Sequence, residues 1–285
     1  MKNRSWMSCL KWAGAACLLS QLSQPVTARP APGGAPAAHS QKKGFGIVAG
    51  RDAAWKSKIS ALKVAWFYGW GLDKPAAVPA GVEFVPMAWG YWGNKDGGFE
   101  RSLQKARAQP GVRALLGFNE PDGKEQANLG VEGALKAWPF LMKTGLRLGS
   151  PAAVHADNDW MQSFMKGAEA QKLRVDFITA HWYGGNDAPG FLGWLARLHA
   201  MYGRPLWITE FAPADWQANA TRPNRYSPQQ MADFMRAVLP RLNQLSYVQR
   251  YAWYSSGPKD AALGPSALFN EDGSLSGLGR LYASF

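Results

Sequence analysis

The sequence predicts an α/β protein that folds as a single (β/α)8 TIM barrel over residues 44–285. Eight short apolar segments rich in β-branched and aromatic residues recur along this part of the chain, and helix-period segments separate most of them. Strands that alternate with helices form parallel sheets, and the closed eight-stranded form typically needs ~250 residues. No nucleotide-binding loop supports another α/β fold, because the glycines in "GFGIVAG" (44–50) do not have the GxGxxG spacing.

Each strand is assigned from such an apolar run, and each helix from apolar residues at helical spacing. The predicted strands cover residues 45–49, 63–68, 83–89, 112–118, 146–152, 175–182, 205–211 and 248–254. The predicted helices cover residues 53–62, 98–108, 128–144, 160–172, 189–203 and 227–245. The last helix begins with Ser227 and Pro228, which favour the N-cap and the first helical position. The connection over 69–82 contains no convincing helix, which leaves an open doubly wound sheet as the alternative.

The first 28 residues have the layout of a secretory signal peptide. The basic residues Lys2, Arg4 and Lys11 accompany a short apolar run, and small residues follow up to Ala28. The run is shorter than the ~20 residues that span a bilayer, although an uncleaved membrane anchor is the alternative interpretation. Residues 29–43 are rich in Pro, Gly and Ala, which predicts a flexible linker. We therefore expect a secreted or periplasmic protein whose folded domain begins at residue 44.

Composition excludes some classes of protein. Both cysteines, Cys9 and Cys17, lie in the predicted leader, so the exported chain must rely on a large core instead of disulfides. The net charge is +12, and the leader and linker carry six of the positive charges and no acid, which leaves +6 on the barrel. No run of Lys and Arg interleaved with aromatic residues predicts a nucleic-acid groove. The remaining charge is compatible with an anionic cell envelope or with an acidic polymer as substrate.

Two glutamates follow predicted strands at the end of the barrel where such folds build their active sites. Glu120 comes two residues after the fourth strand, in "GFNEPDGK", and Glu210 ends the seventh strand, in "WITEF". Taken singly, Glu120 could be an acid at a helix start and Glu210 a salt-bridged strand end. As a pair across the barrel mouth, they provide what hydrolysis of a glycosidic bond requires. One carboxylic acid protonates the leaving oxygen, and one carboxylate attacks the anomeric carbon.

The tripeptide Phe-Asn-Glu occurs a second time, in "ALFNEDGSL" (267–275), after the eighth strand. There the glutamate, Glu271, precedes Asp272 and Gly273, which are typical turn residues. This second copy predicts a surface hairpin.

Four blocks of sequence carry a resemblance to a known family. They are "LLGFNEPDGKEQANLG" (115–130), "LRLGSPAA" (146–153), "VDFITAHWYGG" (175–185) and "LWITEFA" (206–212). With these blocks the chain resembles the Asl1-like glycosyl hydrolases, glycoside hydrolase family 128 of clan A, from about residue 44 to 285. The resemblance implies a TIM barrel, a retaining mechanism and the endo-β-1,3-glucanase activity that most characterised members have. It matches Glu120 to the acid/base, Glu210 to the nucleophile and Asn119 to the residue that precedes the acid/base.

Further residues near strand ends are candidates for holding the substrate. His181 and Tyr183 end the sixth strand and are expected to orient the nucleophile or the sugar, with a buried core histidine as the alternative for His181. Flat aromatic faces suit the apolar face of a sugar ring, with ordinary barrel packing as the alternative. The candidate sugar platforms are Trp66, Tyr68, Trp89, Trp253 and, on the loop after the seventh strand, Trp216. Trp66 and Tyr68 should share one face, because side chains alternate along a strand.

The sequence predicts no cofactor and no metal ion. It has neither an HExxH motif nor, in the exported chain, a cysteine, and only the loop at 155–160 suggests calcium. A GxSxG motif is absent, which argues against a serine hydrolase, and "GFNEPDGK" lacks the spacing of a phosphate loop. The expected partner is a polysaccharide, β-1,3-glucan, with no nucleic acid, no membrane span after removal of the leader and no oligomer required. The alternatives are another polysaccharide, including an anionic one, and a catalytically silent barrel that binds glycans.

Overall fold

The computed structural model describes residues 39–285, which form eight parallel strands and seven α-helices. The strands are β1 (Lys43–Gly46), β2 (Trp66–Tyr68), β3 (Glu83–Phe84), β4 (Ala114–Leu115), β5 (Arg147–Leu148), β6 (Ile178–Trp182), β7 (Leu206–Phe211) and β8 (Val248–Trp253). The helices are α1 (Trp55–Leu62), α2 (Gly98–Arg107), α3 (Val131–Met142), α4 (Asp159–Ala170), α5 (Ala188–Tyr202), α6 (Pro228–Gln244) and α7 (Gly277–Ala283). Short 3-10 turns cover Lys95–Gly97 and Gly264–Ser266.

The strands close into a barrel. Six of them pair in the order β3-β2-β1-β8-β7-β6, and β4 pairs with β5. Two parallel bridges join these sheets, one between Met87 and Leu116 and one between Gly149 and Phe177. Each strand is thereby next to its neighbours in sequence, and β8 pairs with β1. This is the predicted (β/α)8 barrel, and the open doubly wound alternative is wrong.

The predicted helices are all present, with ends shifted by a few residues. In α6 the Ser227 side chain accepts a hydrogen bond from the backbone N–H of Gln230, and the Gln230 side chain accepts one from the backbone N–H of Ser227. The sequence analysis anticipated this start from Ser227 and Pro228. No helix forms over 69–82, as predicted. The last helix, α7, was not predicted; its seven residues make too short a pattern to recognise.

The barrel interior is filled by large side chains from alternating strand positions. Trp66 and Tyr68 of β2 both point inward and stack with ring centroids 6.0 Å apart, which confirms that they share one face. Below them Trp207 packs on Phe177 at 4.0 Å, and the Arg250 guanidinium lies 4.2 Å from the Trp207 ring centroid. This lower layer is packed with side chains. An active site can therefore form at the other end of the barrel, where the carboxyl ends of the strands meet, which we call the upper mouth.

The folded domain begins earlier than predicted. Lys43 is the first residue of β1 and is fully buried, and its ammonium donates a hydrogen bond to the Tyr282 carbonyl. Lys42 donates to the carbonyls of Leu242 and Leu245. The linker boundary at 43 is therefore wrong, because long lysine stems can line a core while their heads reach carbonyl groups. The predicted signal peptide (1–28) and linker residues 29–38 lie outside the described residues.

Replacing Lys43 by Met is expected to remove a pH dependence of stability. Burial lowers the pKa of Lys43 to about 8, and the charge of Lys63 adds to this. Between about pH 8 and the unfolded value of 10.5 the unfolded state binds more protons, so the free energy of unfolding of the wild type should rise with pH. The rise should be on the order of 2 kcal/mol. Urea unfolding of the wild type and of Lys43→Met from pH 7 to 10.5 measures this rise. If the free energy of unfolding of the two proteins changed with pH in the same way, the lowered pKa of Lys43 would be contradicted.

None of the helices within residues 39–285 combines the length and the apolar character needed to cross a membrane.

Candidate active site

Glu120 stands at the upper mouth of the barrel on a strained backbone. The ladder between the β4 and β5 strands continues upward to a bridge between Asn119 and Ala152, and Glu120 follows directly. Its φ of 39° lies in the left-handed region, which a non-glycine residue rarely adopts. Its backbone N–H donates to the Ala152 carbonyl at 2.7 Å, and its carbonyl accepts from Gly123. Strain of this kind concentrates at functional sites, where the surrounding structure holds it.

Glu210 reaches the same mouth from β7 because of an irregularity in the strand. Along β6 and β7 the register pairs Ala180 with Ile208 but His181 with Glu210, so Thr209 is an extra residue in β7. Trp207 points into the barrel, and strict alternation would then turn Glu210 outward. The extra residue reverses this order, as bulges near active sites often do. The Glu210 side chain consequently points into the barrel mouth and is 7% exposed.

The two carboxyl groups lie close together. An oxygen of Glu120 and an oxygen of Glu210 are within 4.8 Å of each other. A cleft of about 330 Å³ opens over them, and Tyr183, Trp216 and Tyr254 form aromatic parts of its wall. A larger groove of about 560 Å³ lies beside α6 and α7, but no carboxylate lines it. The upper mouth of the barrel is thus the concave site with paired acids.

Three donors hold the Glu210 carboxylate. The Trp70 indole N–H donates to Oε1 at 2.8 Å, and the Tyr183 hydroxyl donates to Oε2 at 2.5 Å. The Tyr68 hydroxyl lies 3.1 Å from Oε1 and 3.1 Å from the Thr209 carbonyl, and it shares its one proton between them. Burial, reinforced by the charge of Glu210, raises the pKa of Tyr68 and of Tyr183 well above 10. Both phenols therefore keep their protons at any ordinary pH and remain donors to an ionised carboxylate.

His181 connects the two acids. It is fully buried, with Nδ1 3.0 Å from Glu120 Oε1 and Nε2 3.5 Å from Glu210 Oε1. Burial acts to lower the pKa of His181, but the negative charges of Glu210 and Glu120 outweigh it, and the net shift is upward. The ring therefore lies between two carboxyl groups, whose negative charges favour its protonated form.

The same three side chains are the one group among residues 39–285 whose ligand atoms lie close enough to suggest a metal ion. Each nitrogen of His181 faces a different glutamate, however, and a single ion can bind to only one of the two nitrogens. Nδ1 is within hydrogen-bond distance of Glu120, whereas Nε2, 3.5 Å from Glu210, has no hydrogen-bond partner within the described residues. The sequence-based expectation of no metal stays a prediction.

Asn119 lies beside the acids with an unused polar atom. It is 3% exposed, and its Nδ2 donates to Gln126 Oε1 at 3.2 Å. Its Oδ1 is buried and has no hydrogen-bond partner within the described part of the chain. Because buried polar atoms are rarely left unpaired, the unpaired Oδ1 keeps Asn119 a candidate for substrate binding.

The candidate sugar platforms differ in their access to the surface. Tyr68 is fully buried and is therefore not a sugar platform, although its hydroxyl contacts Glu210. Trp89 and Trp216 reach the surface as aromatic faces. Trp89 is half-buried and stacks on Trp92, which is 77% exposed, with centroids 5.7 Å apart. Trp216 is 64% exposed, packs edge-on against Tyr183 and donates its indole N–H to the Tyr183 carbonyl at 3.1 Å. Trp216 lines the cleft over the two acids, whereas Trp89 and Trp92 line a separate groove.

The prediction that Trp66 and Trp253 are sugar platforms is wrong, because both are fully buried. Trp66 points inward but lies one layer below Tyr68, and its indole N–H donates to the Lys42 carbonyl. Trp253 points away from the barrel axis, toward Phe211 and Phe234, because the neighbouring position at 252 faces inward. Neither ring can reach a ligand in the cleft.

Sequence reasoning missed Trp70, Tyr254 and Gln126. Tyr254 lines the cleft one residue beyond β8 and packs edge-on against Tyr183 at 5.3 Å. Its position in the predicted strand 248–254 could have suggested it. Trp70 lies in a connection without regular structure, and nothing in the sequence placed it near Glu210. The second glutamate, Glu271, is where predicted: on an exposed hairpin closed by a bridge between Phe269 and Leu275.

The loop that carries Trp216 is fixed by a buried acid. Asp215 is 1% exposed, and its Oδ1 accepts a hydrogen bond from the Arg225 guanidinium at 2.6 Å and its Oδ2 one from the Arg225 backbone N–H at 3.0 Å. The Arg225 hydrogen bonds hold the pKa of Asp215 far below its usual range. Two loop positions separated by ten residues are thereby tied together, which holds Trp216 against the rim of the cleft.

Replacing Trp216 by Ala is expected to raise KM for a polysaccharide about 10-fold with little change in kcat. The ring is exposed and has no hydrogen bond to either glutamate, so its loss should act mainly by removing apolar contact area. The matched variant Trp216→Phe keeps a flat face and should retain most of the affinity. Steady-state kinetics on both variants measure the effect, and an unchanged KM for Trp216→Ala would remove Trp216 from the binding surface.

Comparisons with known proteins agree with this geometry. A family model described as the glycosyl hydrolase catalytic core matches residues 44–282. Alkali-sensitive linkage protein 1 of Schizosaccharomyces pombe is 30% identical over 256 residues, a match that covers 86% of this chain and 45% of that protein. This chain therefore spans less than half the length of that relative.

Solved structures show the same likeness. A family 128, subgroup I endo-β-1,3-glucanase from Amycolatopsis mediterranei, in complex with laminaritriose, shares 37% identity with a TM-score of 0.75, covering 86% of this chain and 99% of that chain. A subgroup II endo-β-1,3-glucanase from Sorangium cellulosum shares 27% identity with a TM-score of 0.68, covering 85% and 98%.

Proposed function

Since this chain belongs to the glycosyl hydrolase catalytic core family, we propose that it hydrolyses β-1,3-glucan internally, with retention of configuration at the anomeric carbon. The observation that carries the proposal is the approach of Glu120 and Glu210 oxygens to within 4.8 Å. Retaining enzymes place their carboxyl groups ~5–5.5 Å apart, whereas inverting enzymes leave ~6.5–9.5 Å for a water molecule. The close approach of these oxygens supports retention over inversion.

In the first step Glu210 attacks the anomeric carbon as a carboxylate while Glu120 transfers its proton to the leaving glycosidic oxygen. The three donors contact both oxygens of Glu210 and can orient the carboxylate for this attack. In the second step Glu120, now a carboxylate, removes a proton from water, which attacks the glycosyl-enzyme and releases the product. His181 touches both acids and can stabilise either one while it is negative.

The substrate is proposed from the structural relatives and from the shape of the site. The subgroup I relative is an endo-β-1,3-glucanase described with laminaritriose, a β-1,3-linked oligosaccharide. The cleft here has aromatic walls from Tyr183, Trp216 and Tyr254, which suit the apolar faces of glucose units. The location outside the cytoplasm rests on the predicted leader alone and stays a prediction.

The net charge of +6 on residues 44–285 supports one second candidate, an anionic extracellular polysaccharide. The same two glutamates would cut it, and only the sugars recognised in the cleft would differ. Silent binding of glycans is the other alternative, and the complete pair of acids argues against it.

Reducing-sugar release tests these proposals. Wild-type protein is incubated with linear β-1,3-glucan, with mixed-linkage glucan and with an acidic polysaccharide, and Glu120→Gln and Glu210→Gln serve as controls. Release of oligosaccharides of several lengths from linear β-1,3-glucan is expected, and NMR should show the β-anomer as the first product. Release from the acidic polymer alone would replace the glucanase proposal, and binding without release from any polymer would favour the silent barrel. A first product with α configuration would indicate inversion.

A further inference from the structure

One oxygen of Glu210 receives two hydrogen bonds from β2 and the residues that follow it. The Trp70 indole N–H approaches Oε1 to 2.8 Å, and the Tyr68 hydroxyl approaches the same atom to 3.1 Å. The other oxygen, Oε2, is bonded to the Tyr183 hydroxyl, and Tyr183 lines the cleft. The carboxylate therefore has an oxygen held by β2 and an oxygen on the cleft side.

Trp70 has an unfavourable backbone conformation. Its φ of 53° lies in the left-handed region, which a bulky aromatic residue seldom adopts. The residue before it, Gly69, approaches the residue after β1 so closely that an added Cβ would lie 2.9 Å from the Ile47 carbonyl oxygen. Such strain persists only where the surrounding structure fixes it, and it is often associated with a functional constraint.

The Trp70 ring is fixed by packing on three sides. It lies 4.8 Å from the Tyr68 ring and 6.3 Å, edge-on, from the Tyr254 ring. The third side faces Gly46, the last residue of β1, where an added Cβ would come within 2.7 Å of Trp70 Cη2. The absence of a side chain at position 46 therefore makes room for the indole that reaches Glu210.

We propose that Trp70 is a positioning residue for catalysis: its indole N–H fixes Oε1 of Glu210 and turns Oε2 toward the anomeric carbon. The proposal rests on Glu210 being the nucleophile, as proposed above. A carboxylate held at one oxygen by two donors cannot rotate freely, so the reacting oxygen stays in line for attack. The N–H also stabilises the negative charge that Glu210 needs before the attack.

Trp70→Phe keeps an aromatic ring and removes the N–H. It should lower kcat about 10- to 100-fold on linear β-1,3-glucan, which is the range for a lost hydrogen bond to a charged group, with little change in KM. The acidic limb of the pH profile of kcat/KM should move to higher pH, because the negative carboxylate oxygen would lose a hydrogen-bond donor. A purely structural role for Trp70 would not move that limb.

Trp194→Phe is the matched control. The Trp194 indole also donates to a carboxylate, Asp157 Oδ2 at 3.0 Å, but it lies on α5, outside the cleft. The same substitution there should leave kcat and the pH profile unchanged. Thermal unfolding of both variants shows whether either one has lost its fold.

Gly46→Ala should displace the Trp70 indole from Glu210 while both of these residues remain unchanged. The added methyl group would push the indole, and it would also press on the Tyr68 ring at 3.2 Å. It should lower kcat and move the acidic limb as Trp70→Phe does. In the Trp70→Phe background, where Cη2 is missing, Gly46→Ala should lower kcat much less than it does in the wild-type background.

The outcomes separate this inference from the proposed function. An active wild type, an inactive Glu210→Gln and a Trp70→Phe variant with normal kcat and pH profile would overturn the role of Trp70 and leave the hydrolase proposal intact. A full additional loss from Gly46→Ala in the Trp70→Phe background would also overturn it, because the effect would then act through Tyr68. If Glu210→Gln remained fully active on glucan, both proposals would fail together.

Discussion

Glu210→Gln is expected to lower kcat on linear β-1,3-glucan by four to six orders of magnitude, about the loss seen when a nucleophile is removed from a covalent mechanism. An amide is nearly isosteric with the carboxylate, but it carries no charge and cannot form the glycosyl-enzyme at a useful rate. The hydrogen bonds from Trp70 and Tyr183 would meet a neutral group and weaken. Steady-state release of reducing sugar at high enzyme concentration measures the loss.

The chain provides a matched control for this change. Glu271→Gln alters the same residue type in the same Phe-Asn-Glu tripeptide, but its carboxylate is 58% exposed and pairs only with Lys259 at 2.9 Å. This exposed ion pair contributes little, so activity and stability should both be unchanged.

Glu210→Gly with added azide should form an α-glycosyl azide, since azide would attack from the face that Glu210 leaves. A β-glycosyl azide from this variant would contradict the assignment of the nucleophile.

Glu120→Gln is expected to lower activity on β-1,3-glucan about 100- to 10,000-fold, the usual contribution of a positioned general acid. The loss should depend on the leaving group. A 2,4-dinitrophenyl β-laminaribioside needs no proton on departure, so its first step should be nearly as fast as in the wild type. The glycosyl-enzyme should then accumulate, because Glu120 is also the base that activates water. A burst of dinitrophenol followed by slow turnover is the expected result.

Azide again separates the two roles. Glu120→Gly with azide should give a β-glycosyl azide, because the glycosyl-enzyme on Glu210 still forms and azide then attacks it in place of water. Equal losses on glucan and on the dinitrophenyl substrate, without a burst, would contradict the role of Glu120 as acid and base. Together with the Glu210 variants, this experiment assigns each glutamate independently of the other.

The alternation of side-chain directions along a strand could be predicted from the sequence only in part. The alternation along β2 correctly placed Trp66 and Tyr68 on one face, but it could not show that Trp66 lies below Tyr68 in a sealed layer. In β7 strict alternation from Trp207 would have turned Glu210 outward, and the extra residue Thr209 reverses this. Such an irregularity depends on pairing with β6 and β8, which local sequence does not encode.

Trp70 illustrates a different limit. The sequence around it, "FYGWG", has no periodicity, and a left-handed tryptophan is not expected from propensity. Its partner Glu210 is 140 residues away, and its packing depends on Gly46 in a third segment. The linker boundary failed for a related reason, since the burial of Lys43 depends on Tyr282 in the last helix.

The sequence by itself determined the alternation of eight strands with helices, the lack of a helix over 69–82 and the presence of one glutamate after the fourth strand and one in the seventh. Those features are local, because hydrophobic period, turn residues and motif blocks are properties of neighbouring residues. Only the tertiary structure decided that the two acids meet within 4.8 Å, that His181 lies between them and that Trp70 donates to one of them. The physical reason is that side-chain direction at a barrel mouth follows from register, bulges and packing between strands far apart in the chain.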